Sequence, residues 1–231
     1  MQETGSQTIV DYIEAIETDR EARLQFECLM AVSISRFFRD RQLWHTLQAR
    51  ILPPLACKTR QPVSVWSAGC ASGEEPYTIR ILWEEMKKSC GRLPDLNILA
   101  TDICAEYLER ARVGVYPPSS MREVPEPIRS AYFEKTEQGE FVSRSSIKEG
   151  ISWQVHDLLS DPPGTGFELV FLRNNLLTYY ADELKMPALQ KVIASLAPEG
   201  FLIIGSHEKM PVEPADLKQW EGSGQIFQKR P

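Results

Sequence analysis

Val63-Ser64-Val65-Trp66-Ser67, a short run rich in strand formers, leads directly into Gly69-Cys70-Ala71-Ser72-Gly73. Residues 74–89 then place Ile79, Leu82, Trp83 and Met86 on one helical face, with Glu74 and Glu75 in the first turn, where the helix dipole favours negative charge. The unit reads as strand, glycine turn, helix. The alternation continues with residues 96–101 as strand, 105–113 as helix, 151–156 and 167–172 as strands, 184–196 as helix, 201–205 as strand and 225–228 as the last strand. Such alternation argues for an α/β fold, a doubly wound, mostly parallel sheet covered on both faces.

Two segments stand outside this pattern. Apolar residues recur at helical intervals at Ile9, Tyr12, Ile13 and Ile16, at Leu24, Cys28 and Leu29, and at Leu43, Trp44, Leu47 and Ile51, until Pro53-Pro54 breaks the series. Residues 1–54 therefore read as a short helical N-terminal region and 55–231 as the α/β domain. Within that domain residues 116–150 are polar and punctuated by Pro117-Pro118, Pro125 and Pro127, with a hairpin expected from Glu140 to Ile147 through Lys148-Glu149-Gly150 into Ile151. This stretch reads as a small inserted β subdomain.

Composition narrows the function classes. At 231 residues and 42% hydrophobic, the chain can bury one substantial core, so one principal domain is expected. A formal net charge of -6 without a sustained Lys/Arg run gives no footprint for a phosphate backbone, so nucleic acid is not expected as a partner. No apolar run approaches the roughly 20 residues that span a bilayer, and the first residues lack a signal peptide's hydrophobic centre, so a cytoplasmic protein without membrane insertion is expected. Cys28, Cys57, Cys70, Cys90 and Cys104 include no C-x-x-C pair, and His45, His156 and His207 lack ligand-like spacing, so no metal site is expected.

Gly69 and Gly73 occupy the first strand-to-helix turn, which in open α/β sheets lets backbone amides approach a ligand, although tight turns use glycine whatever they bind. The second strand ends in Ala100-Thr101-Asp102, which places an acid where it can accept hydrogen bonds from the ribose hydroxyls of an adenosine ligand. The turn lacks the third glycine of G-x-G-x-x-G, and Glu74-Glu75 would repel a pyrophosphate while suiting a cation. S-adenosylmethionine, with its amino group and sulfonium, fits these residues better than NAD.

The run from Val65 to Tyr77, with Gly69-Cys70-Ala71-Ser72-Gly73-Glu74-Glu75-Pro76-Tyr77, resembles the first cofactor motif of the CheR family of chemotaxis receptor methyltransferases. Further segments fall in that family's order: Ser35-Arg36-Phe37-Phe38-Arg39-Asp40, Ala100-Thr101-Asp102-Ile103, Arg173-Asn174-Asn175, and Gly200-Phe201-Leu202-Ile203-Ile204-Gly205 with Glu208. The resemblance runs from about Val32 onward. It implies a class I, Rossmann-like methyltransferase fold, S-adenosylmethionine as donor with S-adenosylhomocysteine as product, and esterification of glutamate side chains on a chemoreceptor or another protein.

By the same resemblance Ser35 and Arg39 lie at the methionine end of the donor, Glu75 and Asp102 contact its amino acid and ribose, and Ile103, Asp157, Leu158, Asn174 and Asn175 complete the pocket with Gly69 and Gly73. A glutamate carboxylate is deprotonated at pH 7, so the reaction needs no general base; it needs a carboxylate held in line and stripped of water. Arg39 and Tyr179 are the residues assigned to that task. The family's tyrosine falls five places after its Arg, which here is Thr178, so Tyr179 serves only with one extra residue in the loop. The family's Asn-x-Thr is Ser33-Ile34-Ser35 here, and the preceding helical region is shorter than the family's. A methyltransferase for a small carboxylate or other nucleophile, or a non-catalytic sensor or scaffold that binds the donor, are the alternatives.

Overall fold

The computed structural model describes residues 18–19, 35–58, 61–211 and 215–231. The helical periodicities at Ile9 to Ile16 and at Leu24 to Leu29 lie outside the described residues. The third helical stretch forms α1 (Arg41–Thr46), a π-helical turn (Leu47–Ile51) and α2 (Leu52–Lys58). Pro53-Pro54 does not end the helix there, contrary to expectation: both prolines follow directly on the π-helical turn, a local irregularity in the backbone ladder where missing N–H groups are absorbed.

The α/β unit follows as β1 (Val63–Ala68), α3 (Glu74–Cys90), β2 (Leu96–Asp102) and α4 (Ala105–Val113). Next come β3 (Val115–Tyr116), α5 (Glu126–Tyr132), β4 (Phe133–Lys135), β5 (Phe141–Ser143) and β6 (Ile151–Val155). The remainder is β7 (Phe167–Leu172), α6 (Leu176–Tyr179), α7 (Asp182–Ser195), β8 (Leu196–Ile204), β9 (Leu217–Gln219) and β10 (Ile226–Lys229).

Seven strands form one sheet in the order β6-β2-β1-β7-β8-β10-β9, with β10 antiparallel to both of its neighbours and the other pairs parallel. The period of two sorts the central strands: Val65, Leu169 and Phe171 face a core shared with α1, α2 and α3, whereas Trp66, Val170 and Leu172 face a second core built on α7. Both faces are covered, as the alternation of apolar segments requires.

The expected hairpin from Glu140 into Ile151 is corrected. β5 pairs antiparallel with β3 and β4 in a separate three-stranded sheet, while β6 joins the main sheet parallel to β2. The turn lies earlier, at Thr136–Gly139, where Gly139 takes a φ of 86° and its N–H donates to the Thr136 carbonyl. The small sheet abuts the N-terminal segment through Phe37, whose ring meets Tyr116 and Phe133 edge-on at 4.8 and 5.0 Å.

Candidate functional site

Strand order reverses at β1, with β2 and β6 to one side and β7 and β8 to the other. In open α/β sheets the carboxyl ends of strands at such a point bound the ligand crevice. The turn after β1 lies there, and its glycines have packing reasons of their own. Gly69 and Gly73 take φ values of 75° and 89°; a Cβ on Gly69 would stand 2.3 Å from Asn175 Nδ2, and one on Gly73 would stand 2.8 Å from Ala111 and Trp153.

The turn's first amides are bonded to the end of β2. Gly69 and Cys70 both donate to the Thr101 carbonyl at 2.8 Å, and Ala71 donates to Asp102 Oδ2 at 2.8 Å. These amides are spent on the end of β2, so residues 69–71 offer no cradle for a pyrophosphate. A donor without phosphate fits that arrangement.

Asp102 is 9% exposed, and its Oδ1 accepts the Cys104 N–H at 3.0 Å. Burial pushes its carboxyl pKa up, opposed by the N–H bonds from Cys104, Ala71 and Ile103. The His156 N–H donates to the Asp102 carbonyl at 3.0 Å and locks the ends of β2 and β6 together. Just beyond, Asp157 Oδ1 accepts the Leu159 N–H at 2.9 Å and shapes the turn that holds Leu158, which is buried. Half-buried Ile103 and Asp157 thus lie at adjacent strand ends with Asp102.

On the other side of β1, Asn175 Nδ2 donates to the Ala68 carbonyl at 2.5 Å, and its Oδ1 accepts the Leu176 N–H that opens α6. Asn174 takes a left-handed φ of 55°. Its N–H donates to Glu208 Oε2 at 2.9 Å, the same oxygen that accepts the Gly205 N–H at 2.7 Å. Thr178 Oγ1 donates to Glu208 Oε1 at 2.6 Å, so one buried carboxylate ties the ends of β7 and β8 to α6.

Segment 35–40 is joined to this site by Arg173, the residue that follows β7. Arg173 Nη1 donates to Glu75 Oε2 at 2.9 Å, and Nη2 donates to Asp40 Oδ2 at 2.6 Å and to the Arg39 carbonyl at 3.3 Å. Glu75 Oε1 accepts from Ser67 Oγ at 2.7 Å, and Asp40 Oδ1 accepts from Ser206 Oγ at 3.2 Å. The guanidinium lies 5.5 Å from the centre of the Trp44 ring, whose Nε1 donates to the Arg39 carbonyl at 2.6 Å. Ser35 hydrogen-bonds the Glu74 carboxyl, which also accepts from Ser120 Oγ at 3.1 Å; burial drives that carboxyl's pKa up.

Ser35, Arg39, Gly69, Gly73, Glu75, Asp102, Ile103, Asp157, Leu158, Asn174 and Asn175 therefore fall on the segments that meet at one end of the sheet. Tyr179 ends α6 with 60% of its surface exposed, one place beyond the Thr178 hydroxyl held by Glu208. Sequence reasoning assigned no role to Arg173 or Asp40; their signal was their place inside two recognised runs. Glu208 was noted beside the last motif, without the clamp it forms.

An α/β sheet of this order, with an acid at the end of β2 and acidic groups rather than amides around the turn, suits S-adenosylmethionine, and the family match makes the chain an S-adenosylmethionine-dependent methyltransferase. The model described as CheR methyltransferase, SAM binding domain, matches residues 33–226, and the chain belongs to that family. It is 36% identical over 210 residues to a chemotaxis protein methyltransferase of Listeria innocua serovar 6a, across 90% of this chain and 77% of that protein. It is 32% identical over 195 residues to the protein of the same description in Vibrio parahaemolyticus serotype O3:K6, across 83% of this chain and 70% of that one. A solved TehB-like SAM-dependent methyltransferase from Corynebacterium glutamicum is similar with a TM-score of 0.41 and 15% identity, across 82% of this chain and 93% of that one. No helix among the described residues is long and apolar enough to cross a membrane.

Proposed function

We propose that the protein methylates glutamate carboxylates on a partner protein of the chemoreceptor kind, with residues 55–231 as the catalytic domain, 116–150 as its insert beside the acceptor, and 1–54 as a helical N-terminal region. The observation that carries this reading is that the carboxylates around the crevice are already engaged. Glu75 and Asp40 accept from Arg173 and a serine each, Asp102 accepts from backbone amides, and Glu208 accepts from two amides and Thr178. An amine or alcohol acceptor would call for a base to take its proton, whereas a glutamate carboxylate arrives deprotonated.

The chemistry supplied by bound S-adenosylmethionine is a methyl group activated by its sulfonium, transferred by in-line displacement with S-adenosylhomocysteine as the product. Asp102 would accept from the ribose hydroxyls through the oxygen lone pairs its backbone donors, Ala71, Ile103 and Cys104, leave over. Glu75, with its negative charge partly offset by Arg173, would accept from the donor's amino group, and Ser35 would lie at the same methionine end. Ile103, Asp157, Leu158, Asn174 and Asn175 would complete the donor's pocket. Arg39 holds the acceptor carboxylate by charge-assisted hydrogen bonds, and the Tyr179 phenol, at the surface, donates to the same group. The names of the relatives support a chemotaxis acceptor, and the cytosol is where a receptor's methyl-accepting domain and the donor meet.

The test is transfer of tritiated methyl from S-adenosylmethionine to the cytoplasmic domain of a methyl-accepting receptor. The expected label is a methyl ester, released as volatile methanol by mild base and lost in the Arg39→Ala variant. Base-stable label would overturn the carboxylate reading.

A further inference from the structure

Arg173 collects two acids that lie 98 and 133 positions away in the chain, Glu75 at the start of α3 and Asp40 just before α1. The two contacts use different nitrogens of one planar guanidinium, so the fork fixes an angle between its partners as well as a distance. At 8% exposure it is shielded from solvent screening.

Segment 35–40 needs such a hold. Phe38 and Asp40 both adopt left-handed backbone conformations, with φ of 56° and 67°, which non-glycine residues keep only when their surroundings impose them. The Phe38 N–H is held by Thr78 Oγ1 at 3.3 Å, and the Arg39 carbonyl receives both Arg173 Nη2 and Trp44 Nε1. The backbone that carries the Arg39 side chain is thus pinned at its carbonyl by Arg173 and through Asp40 by the same group. Without the guanidinium, Asp40 and Glu75 would be two like charges in a poorly hydrated place, and each would move toward water.

We infer that Arg173 is a positioning residue of the donor site: by holding Asp40 and Glu75 on one guanidinium, it sets segment 35–40, with Ser35 and Arg39, against the turn that follows β1. The inference rests on the assignment of Ser35, Arg39 and Glu75 to the donor.

The experiment compares Arg173→Lys, Arg173→Met, Asp40→Asn and the Arg173→Met/Asp40→Asn pair in the whole chain, by calorimetric titration with S-adenosylhomocysteine and by thermal melting. Arg173→Met and Asp40→Asn are each expected to weaken binding about tenfold, and the pair no more than Arg173→Met alone, because both break one contact. Arg173→Lys restores the charge and is expected to recover the melting temperature while leaving binding weak, since a single ammonium cannot reproduce the fork. Wild-type affinity in Arg173→Lys, or affinity that tracks melting temperature across the set, would make Arg173 a structural staple only. If Arg173→Met does not fold, Asp40→Asn decides, and wild-type affinity there overturns the inference. Glu75→Gln separates the two readings: if it too binds as wild type, the donor assignment fails, and if it alone binds weakly, only the positioning role fails.

Discussion

The side-chain amide of Asn175 occupies the space a Cβ on Gly69 would need, with Nδ2 only 2.3 Å from that position, while the same nitrogen donates to the Ala68 carbonyl at 2.5 Å. The turn after β1 and the loop after β7 are therefore fitted to each other across the switch point. Gly69→Ala must displace Asn175 and also place a side chain at a φ of 75°. We expect a loss of about 1–3 kcal/mol in stability together with weaker donor binding. Denaturant melts and titration of S-adenosylhomocysteine into the folded variant check both; unchanged affinity would separate Asn175 from the donor pocket.

Thr178 and Tyr179 are adjacent in sequence and differ in what they hold. The Thr178 hydroxyl is committed to Glu208, and the Tyr179 ring is 60% exposed at the end of α6. Tyr179→Phe should lower kcat by about tenfold, the worth of one donor to the reacting carboxylate, with donor affinity unchanged. Thr178→Val should instead lower the melting temperature, because it leaves Glu208 Oε1 short of a donor. Steady-state kinetics beside melting curves distinguish them; full kcat in Tyr179→Phe would remove the phenol from the chemistry.

Glu74 supplies a pH signature. Burial raises its pKa in the folded state above its unfolded value, so the folded chain keeps this proton to higher pH than the unfolded chain does. Its contribution to stability is full below the unfolded pKa and is lost as pH rises through the raised one. Glu74→Gln keeps an acceptor for Ser120 and removes the ionisation. The variant should gain on wild type in melting temperature as pH climbs from 4 to 8, with pH taken as about the range that spans an ordinary glutamate and neutrality. A difference that is flat across that range would show that Glu74 ionises as freely folded as unfolded.

Much of the fold was legible because it is local. The helical spacing of Ile79, Leu82, Trp83 and Met86 marked α3, and the strand residues before Gly69 marked β1; both depend on residues within a few positions of each other. Asp102 was legible for the same reason, at the end of a readable strand. The Arg173 fork was not, because its partners stand 98 and 133 residues away and no periodicity records a contact of that span. The small sheet was misread for a different reason. β3 and β4 have two and three residues, too few for alternation to show, so the turn-forming Lys148-Glu149-Gly150 before Ile151 drew the hairpin to the wrong place.

Asp102 carries the account's central claim, that this end of the sheet holds the methyl donor. Calorimetric titration of wild type and Asp102→Ala with S-adenosylmethionine and S-adenosylhomocysteine tests it most directly. Asp102→Ala removes the acceptor of the Ala71, Ile103 and Cys104 N–H groups and should cost roughly 1–3 kcal/mol of stability, so the comparison is made well below its melting temperature. The expected result is saturable one-site binding by wild type and none detectable in the folded variant. Equal affinity in the two proteins would contradict the claim and move the donor away from the end of β2.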